Sequence, residues 1–590
     1  MVRNQTDQKI KTGDSIIIIL LSILGLLACI IVLFPQERRM FIGYIAEHLI
    51  HKRTSLNIVW DKLFSAFAMF GICCVIFFDY TILTNPGRLL VQKVKQEMKN
   101  CLSEINFRLF LKPALKVLGV YLLGIFTIIR ANFLYKDDIL RAVEGSRQWF
   151  SWSRYVSEIL SIFVHGDTNL TDISPLPQLL AVLILSFCSV LLVYVIGNRK
   201  ITLIRLLASI PLGLSPFFLE CLSYKFDAPY MALSILSSIF PFLFMDRKKA
   251  FIFCSVISLL IMCMTYQAAS GIYLLIATML CFQDWNSRKK SNKEIFSFLG
   301  TATLIFCSVM LLFRFFFMKP ISIDTYASTE MHSLSHLLSG TLNNIKNYIT
   351  LINQDLGMLW KIGILLVILF FITKSVHVSA QKKLLTVFVS ILLMGISFIL
   401  SYGVYSLLEL PLYQPRAFLG FGVFLAIICV YAVSDYEKIA IVVVFALNWC
   451  FFVFAFSYGN ALADQARYTE FRVGMLLHDL SALYTNESVN RLSLQIKNSI
   501  DYAPTIKNIA KHYPIIEILV PKQLTEDSYY ENNYYLGSFH YVHYTEINTP
   551  DDVLNENCID FNSLNLPVVL DSYYHTIHSD GTHILVVLKH

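Results

Sequence analysis

The sequence predicts a polytopic α-helical membrane protein ending in a small α/β domain, on three observations. Of the 590 residues, 56% are hydrophobic and only 15% charged, where ordinary soluble domains carry roughly a quarter charged residues. The apolar residues gather in runs of about 17–25, the length that crosses a hydrocarbon core. Beyond residue 458 the runs stop, and a polar stretch with globular patterning begins. The net charge of +7 lies largely in short loops, so it reports topology and not a nucleic-acid partner. Most of the 13 cysteines fall inside apolar runs, where they act as small hydrophobes. No CxxC or Cys/His ligand spacing occurs, so neither a disulfide framework nor a zinc site is expected.

Apolar runs lie near 15–34, 63–84, 114–133, 179–196, 201–219, 231–245, 251–264, 268–282, 295–317, 357–372, 384–400, 417–433 and 439–456, which makes about thirteen spans. The first follows a polar start and lacks a small-residue cleavage site, so it reads as a retained anchor. Basic clusters occupy every second connection: Arg88 to Lys112, Arg199/Lys200, Arg247–Lys249, Arg288–Lys293 and Lys374–Lys383. By the positive-inside rule these loops are cytoplasmic. Loops 134–178, 220–230, 319–356 and 403–416 then face outward with the tail, and the N-terminus faces the cytoplasm. Residues 35–62 run against the rule, being placed outside while holding Arg38, Arg39, Lys52 and Arg53.

The tail is long enough, at roughly 130 residues, for a small core of its own. Leu494-Gln-Ile496, 515–520 and 568–570 read as strands, 505–512 as a helix, and Ser579-Asp-Gly-Thr582 as a hairpin turn before a last strand. The domains are therefore an N-terminal extension (1–110), a multi-span core (111–458) and an outer α/β domain (459–590).

Chemistry-bearing residues collect at the outer ends of the spans. The first outer loop holds Asp137, Asp138, Arg141, Glu144, Trp149, Trp152, Arg154 and Asp172; the next holds Glu220, Tyr224, Lys225 and Asp227. Tyr266 and Gln267 form a hydrogen-bonding pair at a tight connection, and Arg130, Arg314 and Arg416 sit near outer helix ends. Charges at the membrane boundary are functional candidates by default. The bland readings are a solvated acidic pair at Asp137/Asp138, interfacial belt tryptophans and snorkelling arginines. Residues 156–164 are amphipathic enough to lie in the interface. His332 and His336 stand four apart but lack an acidic partner in register, so they are not read as metal ligands. The whole set suits transfer of a group from a lipid phosphate. A carboxylate takes the acceptor's proton, guanidinium groups hold the phosphate, and aromatic rings stack on sugar.

Several of these segments, in order, resemble the serotype-converting O-antigen glucosyltransferases of the Gtr type. They are Tyr135-Lys-Asp-Asp-Ile-Leu-Arg141, Trp152-Ser-Arg154, Asp172-Ile-Ser-Pro-Leu-Pro-Gln178, Tyr224-Lys-Phe-Asp227 with Met231-Ala-Leu-Ser234, Tyr266-Gln267 and Pro415-Arg416. The resemblance covers roughly 110–460 and implies a GT-C glycosyltransferase fold. It further implies transfer of glucose from undecaprenyl-phosphate glucose to lipopolysaccharide O-antigen, on the periplasmic face of a bacterial inner membrane. It implies no cofactor, with an accessory flippase and a donor synthase as partners beside the lipid bilayer. By the same resemblance Asp137 or Asp138 is the base of an inverting displacement, and Asp138 is preferred because a helical turn starting there shares a face with Arg141. Tyr135, Arg141, Trp152, Arg154, Tyr266, Gln267 and Arg314 become substrate-binding candidates, with Asp227 on a sugar hydroxyl and Arg416 on the phosphate.

Two rival readings share the membrane core. A transporter or flippase of lipid-linked sugars would place polar groups at midplane in matched halves, whereas these spans are apolar at their centres and no inverted repeat shows. An O-antigen polymerase or ligase would carry one large outer loop rich in Arg and His, whereas here the soluble mass is C-terminal.

Overall fold

A computed structural model describes residues 107–319, 321–323, 327–433, 438–483, 493–526, 532, 535–539 and 564–589. The apolar runs near 15–34 and 63–84, and the basic loop between them, lie outside the described residues.

Each remaining apolar run forms a helix. Eight described helices are long and apolar enough to cross a membrane, and Leu203–Leu214 with Pro216–Ser223 makes a ninth as a pair bent by 61°. The bend falls at Ser215-Pro216, where the proline lacks the amide that a continuous helix would use. Ala228–Ile239, prolonged by the 3-10 turn Phe240–Phe244, and Lys248–Cys263 are shorter and turn back on each other through 245–247. The chain is thus a polytopic helical membrane protein, as its composition predicts.

Pro415–Ala432 is wholly buried at the centre, while Asn292–Phe316, Met358–His377 and Lys383–Leu400 turn apolar side chains such as Leu304, Leu365 and Phe388 outward. Outward Leu and Phe are what hydrocarbon solvates best. At Gly271 and Gly420 the backbones of Leu400 and Ser401 come so close that a Cβ would meet their carbonyl oxygens at 1.7 and 2.2 Å. Small residues permit that approach between membrane helices.

The bundle has two distinct ends. At one, the basic connections meet: Arg199 pairs with Asp246, Lys289 donates to Asn198 at 2.9 Å and Arg288 to Gln381 at 3.3 Å. At the other, the loops that carry the acidic pair, Asp227, Tyr266 and Arg416 come together. There the helix Tyr155–His165 buries Ser157, Glu158 and Ser161 and exposes Ile159 and Phe163. Polar residues face the protein and apolar ones face out, which suits a helix lying in the interface.

The helix Lys438–Leu483 has 46 residues, about 69 Å at 1.5 Å per residue, more than twice the hydrocarbon thickness of about 30 Å. It runs unbroken through residue 459, where the sequence reading placed a domain boundary. Its C-terminal half buries Val473, Leu476 and Leu480 against the strands of the tail. Those strands, β3 (Ser493–Lys497), β4 (Val568–Asp571), β5 (His575–Ser579) and β6 (His583–Leu588), form a sheet in the order β3-β6-β5-β4. β3 runs parallel to β6, and the other pairs are antiparallel. (β1, Ser322–Ile323, and β2, Ala327–Ser328, form a separate hairpin.) The β5–β6 turn is the predicted one, with Gly581 at φ +90°, where only glycine is unstrained. Residues 515–520 are a correction: Ile516–Leu519 is a helical turn and not a strand. A run this short, with five apolar residues around Glu517, does not distinguish the two by period.

Candidate active site

The helix Asp138–Glu144 begins at the second aspartate and ends at Gly145, in a left-handed conformation. That start separates the two acids. Asp137 is exposed, whereas Asp138 is completely buried. Asp138 Oδ2 accepts from the amide of Tyr135 at 3.1 Å and from that of Lys225 at 3.0 Å, so two loops converge on one oxygen. Among the described residues, Oδ1 is buried without a hydrogen-bond partner. Burial pushes the Asp138 carboxyl up to about 8; Asp227 adds to the rise, and the two amides and Arg141 work against it. A carboxyl whose ionised form is costly holds its proton at neutral pH and takes one readily when ionised. Asp137→Asn is expected to change folding stability by no more than about 0.5 kcal/mol, since exposed polar substitutions away from specific contacts have small effects; thermal unfolding of that variant checks it.

Beside Asp138 stands a second acid held by three groups. Asp227 Oδ1 accepts from Trp149 Nε1 at 2.6 Å and lies 3.6 Å from Arg154 Nη1, and Asp227 Oδ2 lies 3.2 Å from Arg141 Nη2. The Arg141 guanidinium also lies over the Trp149 ring at 4.1 Å, and that of Arg154 over the Tyr266 ring at 4.8 Å. While Asp138 holds its proton, one carboxylate between two guanidinium groups leaves a local positive charge, and guanidinium groups suit a bound anion. Lys225 turns the other way, donating from Nζ to Asn132 Oδ1 at 2.6 Å and to Asp172 Oδ2 at 3.0 Å.

Glu220 is the third buried acid. Its oxygens accept from Arg416 N at 2.6 Å and Arg416 Nη1 at 2.7 Å, and one lies 3.3 Å from the Tyr135 hydroxyl oxygen. Lys136 Nζ is 3.8 Å away. The Arg416 guanidinium, expected from sequence to act on the phosphate, is engaged by a carboxylate in this structure.

The structure brings Asp138, Tyr135, Arg141, Arg154, Asp227, Tyr266 and Arg416 into one contiguous cluster. Tyr135 and Tyr266 are enclosed, the second donating to the Arg416 carbonyl at 3.5 Å. Trp152 keeps an exposed ring, its carbonyl accepting from Gln267 Nε2 at 3.5 Å. Trp149 is buried and fixes Asp227, so it is not a face for sugar stacking. Arg314 lies in the last turn of Asn292–Phe316. Glu220 and Lys225 were noted in sequence without a role. For Glu220 the signal was present, as a lone acid in the apolar helix Pro216–Ser223. Glu158 was missed altogether; it takes Phe150 N at 3.3 Å and pairs with Arg147 at 3.2 Å, and nothing in its local sequence distinguishes it from a surface acid.

Residues 126–427, slightly more than half of the chain, match the family described as glucosyl transferase GtrII. An uncharacterized 55.3 kDa protein in the gtrB 5′ region of Salmonella phage P22 is 24% identical over 432 residues, spanning 70% of this chain and 86% of that protein. No solved structure matches.

Proposed function

Because the chain belongs to the GtrII glucosyl transferase family, we propose that it moves glucose from undecaprenyl-phosphate glucose to a hydroxyl of lipopolysaccharide O-antigen, at the periplasmic face of a bacterial inner membrane. The observation that carries this reading is Asp138: a buried carboxyl with one oxygen anchored by two amides and the other without a partner among the described residues, beside the guanidinium groups of Arg141 and Arg154.

The acceptor hydroxyl oxygen bonds to the anomeric carbon while the bond from that carbon to the phosphate oxygen breaks. The electron pair leaves with the polyprenyl phosphate, and the hydroxyl proton passes to Asp138 Oδ1. A single displacement from the face opposite the leaving group inverts the anomeric configuration. Arg154 and Arg141 are placed to take the phosphate charge as it grows, with Asp227 holding their orientation. Trp152 offers a ring face to sugar. Enclosure of the carboxylate keeps bulk water, the competing acceptor, away from it. The basic connections at the opposite end of the bundle support the periplasmic placement by the positive-inside rule. The donor's polyprenyl chain would lie in the bilayer beside the bundle, and a flippase and a donor synthase would supply it.

The test is transfer by purified protein from synthetic polyprenyl-phosphate glucose to isolated O-antigen. Only the ionised base accepts a proton, so kcat/KM is expected to rise with pH along a limb centred near 8 and to fall about tenfold per unit below it. A profile flat between pH 6 and 9 would exclude ionisation of Asp138 as the controlling event. Absence of transfer by folded protein, with donor and acceptor varied, would return weight to transport or polymerisation.

A further inference from the structure

The tail reaches the acidic loop at the Leu519 carbonyl. At the end of the turn Ile516–Leu519, the Leu519 oxygen accepts from the Tyr135 hydroxyl at 2.9 Å and the Tyr458 hydroxyl at 3.3 Å. Both phenols are fully enclosed, one in the acidic loop and the other on the helix Lys438–Leu483. Tyr458 is itself tied to Ser223 at 2.8 Å, two residues before Lys225. The segment ahead of Leu519 is anchored independently: the Tyr513 ring stacks on Trp360 at 5.5 Å and meets the Phe454 edge at 5.2 Å. Beyond it, Pro521, Gln523 and Leu524 line a small crevice with Lys136 and Ile139, which flank the two aspartates.

The same two residues that the clasp restrains therefore border the anchorage of Asp138. Its Oδ2 hangs on the amides of Tyr135 and Lys225; Tyr135 is fixed through its hydroxyl to Leu519, and the approach to Lys225 is fixed through Ser223 and Tyr458. We propose that Tyr135 and Tyr458 form a two-phenol clasp on the Leu519 carbonyl, by which the C-terminal domain sets the position of the Asp138 carboxylate for glucosyl transfer. Both are positioning residues, and the inference rests on the reading of Asp138 as the base. A base must sit within hydrogen-bond reach of the acceptor hydroxyl, and small displacements at a reacting centre are costly. Rigid side chains and a packed supporting layer prevent them.

The test uses the full-length protein with Tyr135→Phe, Tyr458→Phe and Asp138→Asn alongside wild type. The Phe variants keep ring volume and lose one hydroxyl, so the fold is retained; melting of each purified variant checks this. Each Phe variant is expected to lower kcat by about ten- to a hundredfold, with KM for the lipid donor within about twofold. The ascending pH limb should also move upward. A loosened loop weakens the amide bonds that stabilise the carboxylate, and the groups left facing it are Asp227, which opposes ionisation, and Arg141, which favours it. Glu220 and Lys136 face the Tyr135 side of the clasp. Wild-type kcat in both Phe variants, with Asp138→Asn inactive, overturns the clasp and leaves the base reading standing. Lower kcat with an unmoved pH limb also overturns it, since that is the mark of a structural loss alone. An active Asp138→Asn overturns the base reading itself, and the clasp with it.

Discussion

Asp138→Asn is expected to lower glucosyl transfer by about a hundred- to ten-thousandfold, the contribution of a positioned general base, while leaving the protein folded in the membrane. The fold should tolerate the change because the site already holds a neutral group. With its carboxyl pushed up to about 8, Asp138 carries a proton at neutral pH, so an amide keeps both charge and shape. The carbonyl oxygen of Asn continues to accept from Tyr135 and Lys225. Its NH2 takes the place of Oδ1, which has no partner among the described residues to lose. What disappears is the ability to accept a proton, so kcat should fall far more than donor affinity changes. Measuring single-turnover transfer together with binding of the lipid donor separates the two. Undiminished turnover would remove Asp138 as base, and parallel loss of donor binding would make it a binding residue.

Much of this site was legible in the sequence, and the limit is physical. The acidic pair, Asp227, Arg141 and Arg154 stand out because charge at the end of an apolar run is expensive, and the family-like segments gave their order. Preference for Asp138 over Asp137 followed from a helix beginning at that residue, and the helix Asp138–Glu144 does so. What could not be read is which charges neutralise one another across the fold. Arg416 and Glu220 are 196 positions apart, and no local pattern announces their pairing. Tyr135 and Leu519 are separated by 384 positions, and the acceptor is a backbone carbonyl, which sequence does not mark. Trp149 and Trp152 look alike in a row of letters; a 3-10 turn, Trp149–Trp152, buries the first and leaves the second exposed. The bilayer spans were the easiest part, since hydrocarbon demands length and apolarity in one continuous run. The turn at 516–519 was the hardest, because a six-residue run with five apolar residues satisfies a strand and a helix equally.

Arg416→Met is expected to destabilise the protein by about 3–5 kcal/mol, the cost of leaving a buried partner charge uncompensated. Glu220 is completely enclosed and receives both the guanidinium and the amide of Arg416. With the guanidinium removed, the Tyr135 hydroxyl at 3.3 Å, Lys136 at 3.8 Å and the Arg416-position amide would still face the carboxylate, too little to replace a direct ion pair. The double variant Glu220→Gln with Arg416→Met removes both charges and keeps an oxygen for the amide. It should recover most of the loss, because a buried pair replaced as a unit costs little and contacting residues are strongly non-additive. Thermal unfolding of the single and double variants in lipid nanodiscs measures the coupling. The same samples decide between the two roles of Arg416. Lost stability that the double variant restores assigns the guanidinium to Glu220. Unchanged stability with a raised requirement for lipid donor would instead assign it to the phosphate, and the ion pair at 2.7 Å would then be one that the donor displaces.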